Sequence, residues 1–207
     1  IYNIFKNFDR NESKNKDWNA YKDYLPEKVM DTFDNLFIKP LLIESKNITV
    51  CNLNTKIVEF RGFKFKYFAE DLLGRNSIGS NKSWEDHILK FVTKYKEKFN
   101  LRNIIDVGAN FGYHSVFFSK LGSHIYSFEP QIQNYELLQH NIKLNNLDNV
   151  TAYNNACGNE TTFVNLPIAP SNIKNWNMGD FTPNIIHNGL NYSSTKSIVL
   201  DNMNFQN

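Results

Sequence analysis

The segment Ile104-Ile105-Asp106-Val107-Gly108-Ala109-Asn110-Phe111-Gly112 runs an apolar stretch into a glycine-bounded turn and then into a helical pattern. Glycine at the end of a buried strand removes the Cβ that would hold a ligand away from the backbone. This order therefore suits close approach at the carboxyl end of a first strand. A tight strand-to-helix turn alone would use the same glycines. Glu129 tips the reading, because it lies 21 positions after Gly108 at the end of the next apolar stretch. Nucleotide-binding sheets place an acid there against ribose hydroxyls. Pro130 then suits the opening of a helix. The glycine spacing also separates ligands. Dinucleotide folds use G-x-G-x-x-G, whose middle glycine lets the backbone reach a pyrophosphate, but here Asn110 stands at that place and no third glycine follows. A ligand with ribose and adenine but no pyrophosphate fits better, S-adenosylmethionine being the obvious one, with NAD or FAD as the alternative.

These residues need elements to position them. Ser83, with Asp86 three residues on, reads as a helix N-cap. Trp84, Ile88, Val92, Tyr95 and Phe99 follow at helical spacing, which predicts an amphipathic helix over 85–99. Strand 104–107, a helix near 113–121, strand 124–128, a helix over 132–145 and strand 150–154 come next. Strands alternating with helices of this length imply βαβ units and a parallel sheet. The expectation is a three-layer α/β core with 104–107 as a central parallel strand, flanked by the segment near Ile125 and by whatever follows Asn207. Before it, Ile57 to Phe60 and the alternation of Phe63, Phe65 and Tyr67 with Lys64 and Lys66 predict a β-hairpin or small meander, with a further short strand at Ile48 to Val50. A helix is expected over 27–38, stopped by Pro40. The first 25 residues are polar and aperiodic, so residues 1–82 read as an arm and small β cap on a domain at 83–207.

Composition narrows the function classes. The chain has 207 residues, 41 % hydrophobic and 21 % charged, which supports a packed core. Lys plus Arg is 23 against 21 for Asp plus Glu, a net charge of +2 that gives no strong nucleic-acid signature. Cys51 and Cys157 are too few for a disulfide framework. No apolar run approaches the roughly 18 residues of a membrane span and no signal-peptide core opens the chain. The expectation is a soluble, cytoplasmic protein. Its 32 asparagines are dispersed through regular patterns, and they devalue the N-x-S/T matches that such density generates unaided.

Asp106 to Tyr113, Ser127-Phe128-Glu129-Pro130, Asn141 to Asn145 and Asn155-Ala156-Cys157-Gly158, in this order and spacing, resemble the FkbM-type methyltransferases. The resemblance covers about 83–201. It implies a class I, Rossmann-like sheet, S-adenosylmethionine as cofactor, and methylation of a hydroxyl on a sugar or other small-molecule acceptor. It also implies roles. Gly108, Asn110 and Gly112 would form the turn under the methionine part of the cofactor. Asp106 would order that turn or hold the methionyl amine through water. Glu129 would take both ribose hydroxyls, and Asn155 and Ala156 would border the adenine. Glu85 resembles a glutamate that reaches the methionine amine, although an acid in a first helical turn is equally explained by the helix dipole.

Other side chains carry less. His114 can face substrate or simply lie on the helix surface. Cys157 has no basic partner to activate it, and His87, His124, His140 and His187 lack metal-ligand spacing. No general base is identifiable. The segment 192–201 resembles the family strand that closes with Leu-Asp, and the Asp-x-Glu-Gly segment expected after it is not in the 207 residues, which reads as a C-terminal truncation. The competing readings are an NAD-type oxidoreductase and a non-catalytic nucleotide-binding module.

Overall fold

In the computed structural model, residues 53–172, 174–181 and 189–205 are described. The expected helix at 27–38 and strand at 48–50 lie outside them. The described residues open with β1 (Thr55–Phe60) and β2 (Phe63–Phe68), paired antiparallel from Thr55↔Phe68 to Phe60↔Phe63. Arg61 and Gly62 make the two-residue turn, both at positive φ, the conformation that matches strand twist in tight hairpins. A short helix α1 (Leu72–Asn76) follows, capped by Asp71.

Helix α2 (Asp86–Phe99) leads into β3 (Asn103–Val107), α3 (Tyr113–Ser119), β4 (His124–Phe128), α4 (Ile132–Leu144) and β5 (Val150–Tyr153). The three strands form a parallel sheet in the order β3-β4-β5. Ile104, Ile125 and Val150 project to one face, where Phe118 of α3, Ile88, Leu89 and Val92 of α2, and Ile142 of α4 pack against them. The opposite face is open at β3, where Ile105 is 41 % and Val107 55 % exposed. The core is thus two-layered among the described residues. Among the described residues β3 pairs in parallel with β4 on one side.

The start of α2 also differs from expectation. Glu85, not Ser83, occupies the cap position, in left-handed backbone conformation and with no side-chain cap bond. Two contacts set this entry: the Trp84 N–H donates to the Tyr113 hydroxyl (3.0 Å) and Asp86 pairs with Arg61 of the hairpin turn (2.7 Å). The Arg61 guanidinium holds the Asp86 carboxyl below its ordinary range. Helix α4 likewise begins two residues after Pro130, with Gln131 as its cap.

Beyond β5, Asn154 breaks the chain direction. Strand β6 (Asn155–Cys157) pairs parallel with β8 (Asn191–Ile198), which pairs antiparallel with β7 (Phe163–Ile168). This second sheet has the order β6-β8-β7.

The hairpin is part of the core. Phe60, Phe63, Phe65 and Tyr67 pack with Phe111, Tyr113, Val116 and Leu137 of the βαβ unit. Its free edge is closed by two amide side chains. Asn141 accepts from the Lys66 N–H (2.6 Å) and donates to the Lys66 and Phe111 carbonyls (2.9 and 2.7 Å). Asn145 accepts from the Lys64 N–H (2.8 Å) and donates to the Lys64 carbonyl (2.7 Å). Four helical residues rise about 6 Å and two strand residues about 6.6 Å, so an i,i+4 pair on α4 matches an i,i+2 pair on β2. The amides stand in for a neighbouring strand and satisfy an otherwise bare edge.

Asn141 is fully buried. Asn141→Leu keeps its size and strands one backbone donor and two acceptors, so urea unfolding should show a loss of about 2–4 kcal/mol. Asn145→Leu, at a solvated position, should cost under about 1 kcal/mol. Equal losses would contradict this account of the edge.

Candidate functional site

The end of β3 turns upward through Gly108 at φ +79, a left-handed conformation that side chains rarely adopt. The Gly108 and Ala109 N–H groups both donate to the Phe128 carbonyl (2.9 and 3.0 Å), which fixes the turn over the end of β4. A Cβ built on Gly108 would meet nothing within 4 Å, whereas one on Gly112 would come within 2.7 Å of Leu138 Cδ1. The two glycines therefore do different work. Gly108 borders open space, and Gly112 allows α3 to seat against α4.

Asn110, at the place of the missing glycine, is itself left-handed (φ 52), a conformation asparagine tolerates. Its side-chain Oδ1 accepts from the Phe111 N–H (2.7 Å), and its own N–H donates to Glu129 Oε2 (2.8 Å). Glu129 Oε1 accepts from the Gln131 N–H (2.8 Å). One carboxylate thus joins the turn after β3 to the turn after β4. Glu129 is 5 % exposed, and burial pushes its carboxyl up to about 7. The Gln131 and Asn110 amides and the Asn134 side chain pull it down, and Asp106 nearby pushes it up again.

Behind the turn, Asp106 accepts from Ser115 Oγ (2.6 Å), which in turn accepts from Ser127 Oγ (2.8 Å). Burial raises the Asp106 carboxyl above its ordinary range. This chain of hydroxyls ties β3, α3 and β4 together. Glu85 sits 3.8 Å from His114 Nε2 and is largely exposed. His114 is partly buried: its ring stacks on Phe118 (5.7 Å, 15°), and burial lowers its basicity against the pull of Asp106 and Glu85.

Gly108, Asn110, Glu129, Pro130, Gln131 and Asn134 form one side of a cleft whose other side is Leu166, Met178, Gly179 and Phe181. Of the residues singled out in the sequence, Gly108, Asn110 and Glu129 meet there. Asp106 and Gly112 support the turn from behind. Asn155 and Ala156 lie in β6, where Asn155 Nδ2 donates to the Lys196 carbonyl (3.0 Å), and neither lines the cleft. Burial raises the Cys157 thiol, consistent with an unactivated side chain. No group of three or more metal-ligating side chains occurs among the described residues.

The far wall escaped the sequence reading. The end of β7 and residues 169–172 and 174–181 after it are pinned by amide side chains at the head of α4. Gln133 donates to the Ala169 carbonyl (3.0 Å) and accepts from its N–H (2.8 Å), Gln131 donates to the Pro167 carbonyl (3.2 Å), and Asn134 donates to the Met178 carbonyl (3.0 Å). From the other side, Asp71 accepts from the Met178 N–H (3.0 Å). Glutamine and asparagine are ordinarily exposed, and in an asparagine-rich chain nothing marks these as buried.

The model of the methyltransferase FkbM domain matches residues 106–198. Over those residues the chain is similar to the FkbM-type methyltransferases. The match begins at Asp106 and ends at the last residue of β8, so it takes in the turn, Glu129 and the second sheet. A search of curated protein sequences finds no match. Solved structures similar to the chain include a Pyrococcus abyssi tRNA (uracil-54, C5)-methyltransferase in complex with S-adenosyl-L-homocysteine (14 % identity, 48 % of this chain and 23 % of that one, TM-score 0.37). A T. thermophilus 16S rRNA N2 G1207 methyltransferase in complex with AdoMet and guanosine is similar over 49 % of this chain and 27 % of that one (16 % identity, TM-score 0.36). An M. jannaschii tRNA m1G37 methyltransferase is similar over 54 % and 36 % (16 % identity, TM-score 0.33). The chain thus spans about a quarter to a third of the length of these proteins.

The Glu129 carboxyl, near 7 in the fold and 4.5 ordinarily, sets a pH dependence. Below the ordinary value both folded and unfolded states hold the proton. Between the two values the unfolded chain releases a proton that the folded one keeps, so stability falls as pH rises and levels off above 7. The shift corresponds to about 3 kcal/mol. Unfolding free energies of wild type should therefore drop relative to Glu129→Gln by about that amount between roughly pH 4 and 8. Parallel curves would contradict the buried-carboxyl account.

Proposed function

We propose that the protein is an S-adenosylmethionine-dependent methyltransferase acting on a hydroxyl of a sugar or other small acceptor. It would work in the cytoplasm, where a thiol such as Cys157 stays reduced. The observation that carries the reading is Glu129. A buried carboxylate at the end of the second parallel strand faces a cleft beside the Gly108 turn. Its oxygens each accept one backbone N–H and keep lone pairs for further donors. A vicinal diol supplies two such donors.

The residues fit the cofactor. Open space over Gly108 leaves room for its chain, and Glu129 would hold its ribose. The two buried acids, Glu129 and Asp106, lie on the side where a cation is favoured. Bound S-adenosylmethionine supplies a methyl group on a positively charged sulfur. The chain's own part is to fix that group beside the acceptor, and orientation of this kind accounts for much of the rate in bimolecular transfers. Asp106, through Ser115 and Ser127, keeps the turn from shifting during the reaction. The acceptor class rests on the FkbM-type likeness.

Hydrogen bonds to a charged group contribute roughly 1.5–3 kcal/mol each. Glu129→Ala should therefore weaken S-adenosylhomocysteine binding by about ten- to several-hundredfold in calorimetric titration. S-adenosylmethionine should behave alike and NAD should bind far more weakly. A preference for NAD would favour the oxidoreductase reading, and no binding by a folded protein would favour a non-catalytic module.

A further inference from the structure

We infer that His114 is a positioning residue, whose imidazole anchors one oxygen of the Glu85 carboxylate beside the Gly108–Gly112 turn and leaves the other oxygen for the ammonium end of the bound cofactor. The inference rests on the methyltransferase reading. Resemblance alone points Glu85 at that ammonium, whereas the imidazole behind it is brought there by the fold.

Two helix entries meet beside the turn. Helix α3 begins at Tyr113, directly after Gly112, and the Trp84 N–H donates to the Tyr113 hydroxyl (3.0 Å). Glu85, the next residue, lies alongside His114, with Oε2 3.8 Å from Nε2. It stands at the cap of α2 in left-handed conformation (φ 48, ψ 46) and makes no capping bond. That conformation is disfavoured for a residue with a Cβ, and the side chain does not serve the helix end. The imidazole, by contrast, is well held. It stacks on Phe118 (5.7 Å, 15°) and meets Tyr113 edge-on (5.3 Å, 83°). Its Nε2 is shut from water and has no hydrogen-bond partner among the described residues. Buried polar atoms without a partner are rare. The Glu85 carboxylate would supply one by moving about 1 Å.

Both the imidazolium and the neutral ring with its proton on Nε2 can donate to Glu85. A carboxylate has about four lone-pair sites, so one bond to His114 fixes its direction and leaves room for a second donor. The titratable groups that face the ring are Glu85 and His87 from α2 and Asp106 from β3. The two acids favour its charged form, while burial and His87 oppose it. Glu85 is exposed and has a long side chain. Left free, it would have to be ordered by the ligand at a cost to affinity, and an anchor in the protein removes that cost.

The test compares ligands with and without the ammonium on the full chain. Binding of S-adenosylhomocysteine and of methylthioadenosine, which has the nucleoside but no amino-acid end, is measured calorimetrically. The proteins are wild type, His114→Phe, His114→Gln, Glu85→Gln and the double variant Glu85→Gln with His114→Phe, each checked for folding by thermal unfolding. His114→Phe keeps a stacked ring and loses the donor, so S-adenosylhomocysteine should bind about three- to tenfold more weakly. Methylthioadenosine should change by less than about twofold, and His114→Gln, which keeps a donor, should fall between wild type and His114→Phe. Because His114 acts through Glu85, the double variant should be no weaker than Glu85→Gln. A second readout needs neither ligand nor the phenylalanine variant: the NMR titration midpoint of His114 should move downward in Glu85→Gln, since loss of a neighbouring carboxylate disfavours the imidazolium. Equal losses for the two ligands, no loss in folded His114→Phe, additive losses in the double variant or an unmoved midpoint would overturn this inference and leave the methyltransferase reading standing. Failure of wild type to bind either ligand would remove the reading on which it rests.

Discussion

A single carboxylate in a poor solvent for charge holds the site together. Glu129 ends β4 with its side chain out of water, and each oxygen takes a backbone N–H from a different turn. Removing water from a carboxylate costs several kcal/mol unless donors replace it. The fold supplies two backbone donors and the Asn134 side chain, and burial still pushes the carboxyl up to about 7. Further donors would complete its shell, which makes the cleft receptive to a hydroxylated ligand before one arrives. The same bonds set the distance between the Gly108–Asn110 turn and the head of α4. Strain or slack in either turn would be transmitted to the other.

Around that link the structure repeatedly uses side-chain amides where another protein would use backbone. Asn141 and Asn145 replace a strand along β2. Gln131, Gln133 and Asn134 replace one along the β7–β8 connection, and Asn154 donates to the Glu129 and Pro130 carbonyls beneath the site. An amide carries both donors and an acceptor, so one residue can satisfy a peptide's N–H and C=O together. The consequence is that α4 acts as a spine. Its one flank fixes the hairpin, its head fixes the Gly108–Asn110 turn and the Met178 segment, and its Leu137 and Leu138 are in the core.

Much of this was legible in the sequence because it depends on local rules. The order of strand, glycine turn, helix and acid is written in contiguous residues, and Gly108, Asn110 and Glu129 meet as their spacing implies. The hairpin was legible from the alternation of Phe63, Phe65 and Tyr67. The entry to α2 was not, because the Arg61–Asp86 pair that shapes it joins residues 25 apart. The far wall is the clearest case. Met178 and Phe181 sit in a stretch with no period, and the bonds of Met178 to Asp71 and Asn134 bring that stretch to the cleft. The glycines illustrate a subtler limit, since Gly108 has a left-handed backbone beside open space, whereas Gly112 lies against Leu138.

The state of the Glu129 carboxyl tests this account most directly. In protein carrying 13C at glutamate side-chain carboxyls, with Glu129 assigned by its loss in Glu129→Gln, the resonance should titrate with a midpoint of about 7 in the free protein. Saturation with S-adenosylhomocysteine should move the midpoint downward, because hydroxyl donors stabilise the charged form. A midpoint near the ordinary 4.5 in the free protein, or one that the ligand leaves in place, would contradict the claim that this buried carboxylate holds the cleft ready for a ribose.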